Sequence, residues 1–178
     1  MICSPSTIIQ HRMIRGDTVI EYQLDIDEEI TYAQEWAYSR NPAYYNFDNL
    51  GGDCTNFVSQ CLRAGGAAMN YTRDIGWYYI SLSNRAAAWT GVEYFYRFIT
   101  RNLSVGPFGE DVPLDKTAVG DVIQLGAGDL YYHSLFVVGV HSGEPYVAAH
   151  SFDAFNRPLS SYSFEQARCI HIIGARRY

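Results

Sequence analysis

The chain has 178 residues, enough for one domain with a substantial core and too few for two. Its net charge is −6 and it has no basic run longer than Arg176-Arg177, which excludes a nucleic acid or an anionic membrane held by electrostatics. Apolar residues make up 48% and charged residues 18%, an ordinary globular balance, and no apolar run approaches the ~18 residues of a membrane span.

Residues 1–20 show no sustained period and read as an irregular N-terminal arm, with the domain beginning at residue 21. They also lack a basic stretch followed by a long apolar one, so the sequence as written reads as cytoplasmic. "DIDEEITYAQEWAYSRNP" predicts the first helix. Ile26, Ile30, Ala33 and Ala37 recur at helical spacing, acids fill the first turn, and Asn41-Pro42 ends it. The second helix follows "GGD": Cys54, Phe57, Val58, Cys61 and Leu62 form an apolar stripe, Asp53 stands at the N-cap, and Gly65-Gly66 stops it. A third starts at "TGVEYFYRFITRN", where Thr90 and Glu93 have capping-box spacing. After the turn-rich "SVGPFGEDVPLDKTAVGD" the period changes. "DVIQLG", "HSLFVVGV", "PYVAAHSF" and "RCIHII" read as short strands, with "HSGEP" as a hairpin loop. Helices first and strands second make an α+β fold with an antiparallel sheet.

Cysteine usage is low. Cys3, Cys54, Cys61 and Cys169 include no C-x-x-C pair, and on one helix Cys54 and Cys61 are about 10 Å apart along the axis, too far for a disulfide. Free thiols are expected. Cys54 differs from the others because it sits at a helix N-terminus, where the dipole favours a thiolate by roughly 0.3–1 kcal/mol. That is about one pKa unit or less, so an activated thiol also needs a histidine as base and counter-charge.

Among five histidines, His11 falls in the arm, His141 in a hairpin loop, and His171 inside the last strand. His133 opens one strand and His150 ends the strand that returns beside it. With the turn near Ser142-Gly143, position 133 faces about 152, making the two diagonal neighbours: one as base, the other orienting it. The bland alternatives are a buried structural thiol and strand-end histidines that only satisfy the core. Zinc is disfavoured because the candidate ligands lack close paired spacing.

"GGDCTNFVSQCLRAGG", "GWYY", "AWT", "GDVIQL", "HSLFVVGV" and "PYVAAHSFD", spanning roughly residues 32–173, resemble the putative amidase domain family. That family is similar to the NlpC-type cell-wall peptidases and CHAP amidohydrolases. The resemblance implies a papain-like α+β fold and no cofactor. It implies Cys54 as nucleophile, His133 as general base and acid, and a polar third residue, His150 or alternatively Asp153. The expected reaction is cleavage of an amide bond in a peptide or peptidoglycan-derived substrate through a thioester. Family members are commonly exported, in contrast to the cytoplasmic reading of the N-terminus.

The Cys54 amide would contribute to the oxyanion site, with a second donor from the segment holding Tyr44, Tyr45 and Asn49. Trp77, Tyr78, Tyr79 and Trp89 stand as groove walls or as core. Two rivals remain: acyl transfer to an amine by the same Cys–His site, and a non-catalytic aromatic-rich peptide- or glycan-binding module.

Overall fold

A computed structural model describes residues 11–14 and 17–178. The first two strands, β1 (His11–Ile14) and β2 (Asp17–Tyr22), form a hairpin that docks on the last strand, β10 (Gln166–Arg177), with Tyr22 opposite Ala175. The expected irregular arm is therefore corrected over these residues, and the hairpin crosses the expected domain start at residue 21. The short segments carry no amphipathic period of their own, and pairing with β10 is what orders them as strands. Residues 1–10, including Cys3, lie outside the described residues.

Helix α1 (Ile26–Trp36) begins at Asp25, whose side chain accepts from the Glu28 amide at 3.2 Å. It stops well before Asn41-Pro42. Helix α2 (Cys54–Ala64) has the predicted limits and packs against the central strand β7 (Leu130–His141). A small hairpin, β3 (Tyr79–Ser81) and β4 (Asn84–Arg85), leads to a single turn, α3 (Ala87–Thr90), and then to α4 (Val92–Arg101). Thr90 does not cap α4. Gly91 occupies that place, and the Thr90 hydroxyl accepts from Arg85 Nε at 3.2 Å.

The remaining strands are β5 (Gly106–Val112), β6 (Val122–Ala127), β8 (Glu144–Ala149) and β9 (Ala154–Pro158). With β1, β2, β7 and β10 they make one eight-stranded antiparallel sheet in the order β1-β2-β10-β6-β7-β8-β9, with β5 also paired to β10. Strand β5 falls in the stretch that reads as turn-rich, and β9 in one with no sequence signal; each contains proline, which suits only strands with an unpaired edge.

Apolar side chains fill both faces of the sheet. Phe136 of β7 joins Phe57, Cys61, Leu62, Trp77, Trp89 and Phe95 on the helix side. Leu135 and Val137 join Ile123, Leu125, Val147 and Leu159 on the other. This two-sided burial explains why β6 and β7 read as continuous apolar runs. Each such large side chain contributes roughly 1.5–3 kcal/mol. The helix layer thereby fixes the N-terminal end of α2 against the strand that carries His133.

Candidate active site

Gly51 and Gly52, immediately before α2, both have left-handed backbones, with φ of +91° and +99°. A Cβ on Gly51 would meet nothing within 4 Å, so conformation rather than crowding demands glycine there. The turn delivers Cys54 to the tip of α2, where it is 6% exposed. His133, also 6% exposed, lies on β7. The two residues line one cavity of about 370 Å³, together with Gly51, Gly52, Leu125, Tyr132, Ser151, Phe152, Arg157, Tyr162 and Ser163.

Burial pushes the Cys54 thiol above its ordinary range. Hydrogen bonds from the Ser134 amide and from Thr55 pull the other way, and the Asp53 carboxylate adds to the rise. Desolvation thus outweighs the hydrogen bonds at this tip. Thr55 Oγ1 lies 3.9 Å from Sγ and 3.0 Å from Ser134 Oγ, which in turn accepts from Gln124 Nε2 at 3.2 Å.

Burial, followed by the charge of Arg157, pushes the His133 imidazole down to about 4. At neutral pH it is therefore an uncharged base. Its Nε2 is buried without a hydrogen-bond partner, and the rings of Phe152 and Tyr162 flank it with centroids 6.3 and 6.4 Å away. The resting pair is neutral thiol and neutral imidazole.

The expected His133–His150 pairing does not form. A bulge between Val137 and Gly139 shifts the β7–β8 register by one residue, so that Phe136 faces Ala148. A one-residue shift exchanges the faces of the sheet. His150 lands instead beneath α2. Its Nδ1 lies 2.5 Å from Asp53 Oδ2, its Nε2 2.8 Å from the Trp36 carbonyl oxygen, and its ring stacks on Phe57 at 4.0 Å. A carbonyl can only accept, so the Nε2 N–H donates to Trp36 and Nδ1 is left facing the carboxylate.

Asp53 is likewise not the helix cap its position predicts. No side-chain capping bond forms. Its Oδ1 accepts from the Phe47 amide at 2.8 Å and from Asn56 Nδ2 at 2.9 Å, while its own amide donates to Ser151 Oγ at 2.8 Å. Asp53 and His150 thus brace the turn that precedes Cys54.

Asp153, the alternative third residue, is held by Arg40 through two bonds of 3.0 and 2.8 Å and does not line the cavity. Trp77 and Trp89 are 0% exposed. Their indole N–H groups donate to Ser59 Oγ and Asn56 Oδ1, so both are core and not groove walls. Tyr78 packs on Tyr71 and faces a different hollow. Tyr44 stacks on Trp89, and neither it, Tyr45 nor Asn49 lines the cavity.

Sequence reasoning missed Phe152, Arg157 and Tyr162. No sequence signal marks them; in the structure φ is positive nearby, 61° at Ser151, 126° at Phe152 and 55° at Asn156, the second well outside ordinary non-glycine geometry.

Cys54, Cys61 and Cys169 are all free and buried. Among the described residues, no group of three or more His, Cys, Asp or Glu side chains could hold a metal ion, and no helix is long and apolar enough to cross a membrane.

The family model described as "Putative amidase domain" matches residues 23–173, most of the chain. The chain belongs to this family. Membership points, at a general level, to amide hydrolysis, and the Cys54–His133 cavity lies within the matched segment. The chain is also similar to "Uncharacterized protein YhbB" of Bacillus subtilis (strain 168), with 33% identity over 139 residues. That alignment covers 75% of this chain and 43% of the relative, so the chain spans less than half of the relative's length. No solved structure matches.

Proposed function

We propose that this amidase-family domain is a cysteine-dependent amide hydrolase of the papain-like type, related to the NlpC and CHAP enzymes, with Cys54 as nucleophile and His133 as general base and acid. The observation that carries this reading is the shared cavity, into which a helix-tip thiol and a histidine with an unpartnered Nε2 converge.

His133 takes the thiol proton as Sγ bonds to the amide carbonyl carbon. Because both groups rest neutral, the proton moves with the attack and not before it. The Cys54 amide, one of the unpaired donors of a helix N-terminus, faces the developing oxyanion. The C–N bond then breaks as the imidazolium gives its proton to the leaving amine, which leaves a thioester on Cys54. Water, losing a proton to His133, hydrolyses the thioester to a carboxylic acid and restores the thiol. In place of a third catalytic residue, His150 and Asp53 hold the turn before the nucleophile.

The favoured substrates are short peptides, with peptidoglycan stem peptides first among them, and export is proposed for the protein that acts on them. The test is a mass-spectrometric digest of purified peptidoglycan and a synthetic peptide panel by wild type, Cys54→Ala and His133→Ala. New amine and carboxylate termini should appear with wild type only. Undiminished cleavage by Cys54→Ala rules the mechanism out.

A further inference from the structure

Arg157 stands out in the cavity as a cation with no counter-ion. It lies on β9, is half-buried, and has no carboxylate within salt-bridge distance among the described residues. Its position is nevertheless fixed. Nε donates to Ser161 Oγ at 2.8 Å, one Nη donates to the Ser161 carbonyl at 3.0 Å, and the guanidinium lies over the Tyr162 ring, 3.9 Å from its centroid. The other Nη makes no hydrogen bond within the described residues. The Tyr162 hydroxyl is buried against this guanidinium and has no other polar partner among the described residues.

None of the residues lining the cavity is acidic, although the chain as a whole is acidic. Three buried side-chain polar atoms of the described residues lack a well-formed hydrogen bond, and two of them, His133 Nε2 and Tyr162 Oη, belong to residues that line this one cavity. A guanidinium edge with no carboxylate on it is a donor set for a planar oxyanion, since arginine's parallel N–H groups match a carboxylate.

We infer that Arg157, held over the Tyr162 ring, forms a carboxylate subsite beside Cys54, so that the substrate carries a free carboxylate close to the amide it presents to the thiol. This rests on Cys54 as the nucleophile of the proposed hydrolase. The placement also couples binding to chemistry. Arg157 is the charge that, after burial, holds the His133 imidazole down. A carboxylate seated on Arg157 offsets that charge and strengthens the base only when the right substrate is present. A neutral substrate leaves His133 a weak base.

Two thiol reagents of nearly equal size read the subsite without needing a substrate: iodoacetate carries a carboxylate, and iodoacetamide does not. The ratio of their alkylation rates at Cys54, followed by peptide mapping, should exceed that of free glutathione by about tenfold. It should fall to the glutathione value in Arg157→Gln and be partly kept in Arg157→Lys. An unchanged ratio in Arg157→Gln overturns the inference.

A binding arm is independent of the thiol. In Cys54→Ala, N-acetylglycine should raise the unfolding temperature while N-acetylglycinamide does not, and Cys54→Ala/Arg157→Gln should respond to neither. If the two ligands act alike, the subsite is rejected even where Cys54 proves to be the nucleophile. If Cys54→Ala still hydrolyses peptides but binds N-acetylglycine through Arg157, the mechanism fails and the subsite stands. Peptides paired as free acid against carboxamide, and as Glu against Gln with an amidated end, then tell a main-chain carboxylate from a side-chain one.

Discussion

Replacing Glu29 by glutamine should change how stability depends on pH, not merely how large it is. Glu29 is buried on α1, and its Oε1 has no partner among the described residues. Burial, reinforced by Asp25, pushes its carboxyl from 4.5 up to about 8. Between these values the unfolded chain is ionised while the folded chain keeps its proton. Stability therefore falls as pH rises, by about 1.4 kcal/mol per pH unit, and is constant in this respect below 4.5 and above 8. The whole interval corresponds to roughly 5 kcal/mol.

His133 acts with the opposite sign. Its imidazole moves from 6.5 to about 4, so the unfolded chain binds the extra proton and stability rises with pH across that range. The two effects oppose each other up to pH 6.5, leaving a net decline of about 2 kcal/mol between 6.5 and 8. Urea unfolding of wild type and Glu29→Gln at half-unit pH steps reads this directly. Wild type should lose stability from pH 6.5 to 8, whereas the variant should hold a plateau there. Parallel curves would show that Glu29 is ionised in the folded state and would refute the reasoning.

The remaining expectations concern the site. His150→Phe removes one partner of the buried Asp53 carboxylate, which keeps Arg40 at 3.5 Å, and should cost about 1–3 kcal/mol in urea unfolding, whereas His141→Phe on the exposed hairpin should stay within about 0.5 kcal/mol. The acid limb of kcat/KM should fall near pH 4, where His133 takes up a proton, and not near the ordinary histidine value of 6.5. Iodoacetamide should label Cys54 faster than Cys61 and Cys169, whose thiols burial raises further, Cys169 to about 12. That selectivity should vanish in His133→Ala. Gly51→Ala should destabilise by more than the ~1 kcal/mol typical of an ordinary turn substitution, because its φ of +91° strains any side chain.

Much of the fold was legible where side-chain period alone decides it. The limits of α2 follow from the apolar stripe Cys54–Leu62 and from Gly65, and the sheet core follows from the two-faced apolar runs of β6 and β7. Strands β5 and β9, rich in glycine, proline and polar residues, are held by pairing with distant partners, β10 and β8, and pairing leaves no periodic trace in the chain. The same limit applies at the site. The placement of Cys54 and His133 on one cavity was legible because Cys54 opens a well-patterned helix and His133 lies near the start of a well-patterned strand.

His150 was misassigned because a single bulge exchanged the faces of the sheet, and nothing in "HSLFVVGV" announces that bulge. Asp53 stands at the cap position, but a nearby histidine and Asn56 compete successfully for its oxygens. The sequence leaves Trp77 and Trp89 as groove walls or core, and the hydroxyl of Ser59 and the amide of Asn56 settle them in the core by satisfying their indoles. Arg157 gave no signal, since its meaning depends on which cavity β9 borders.

The central claim is that Cys54 sulfur forms the covalent intermediate. Rapid acid quenching of wild type mixed with an activated ester of a peptide substrate, followed by peptide mapping, tests it. The acyl mass should appear on the peptide containing Cys54, be absent from Cys54→Ala and accumulate more slowly in His133→Ala. An acyl group found on another residue, or full turnover by Cys54→Ala, would contradict it.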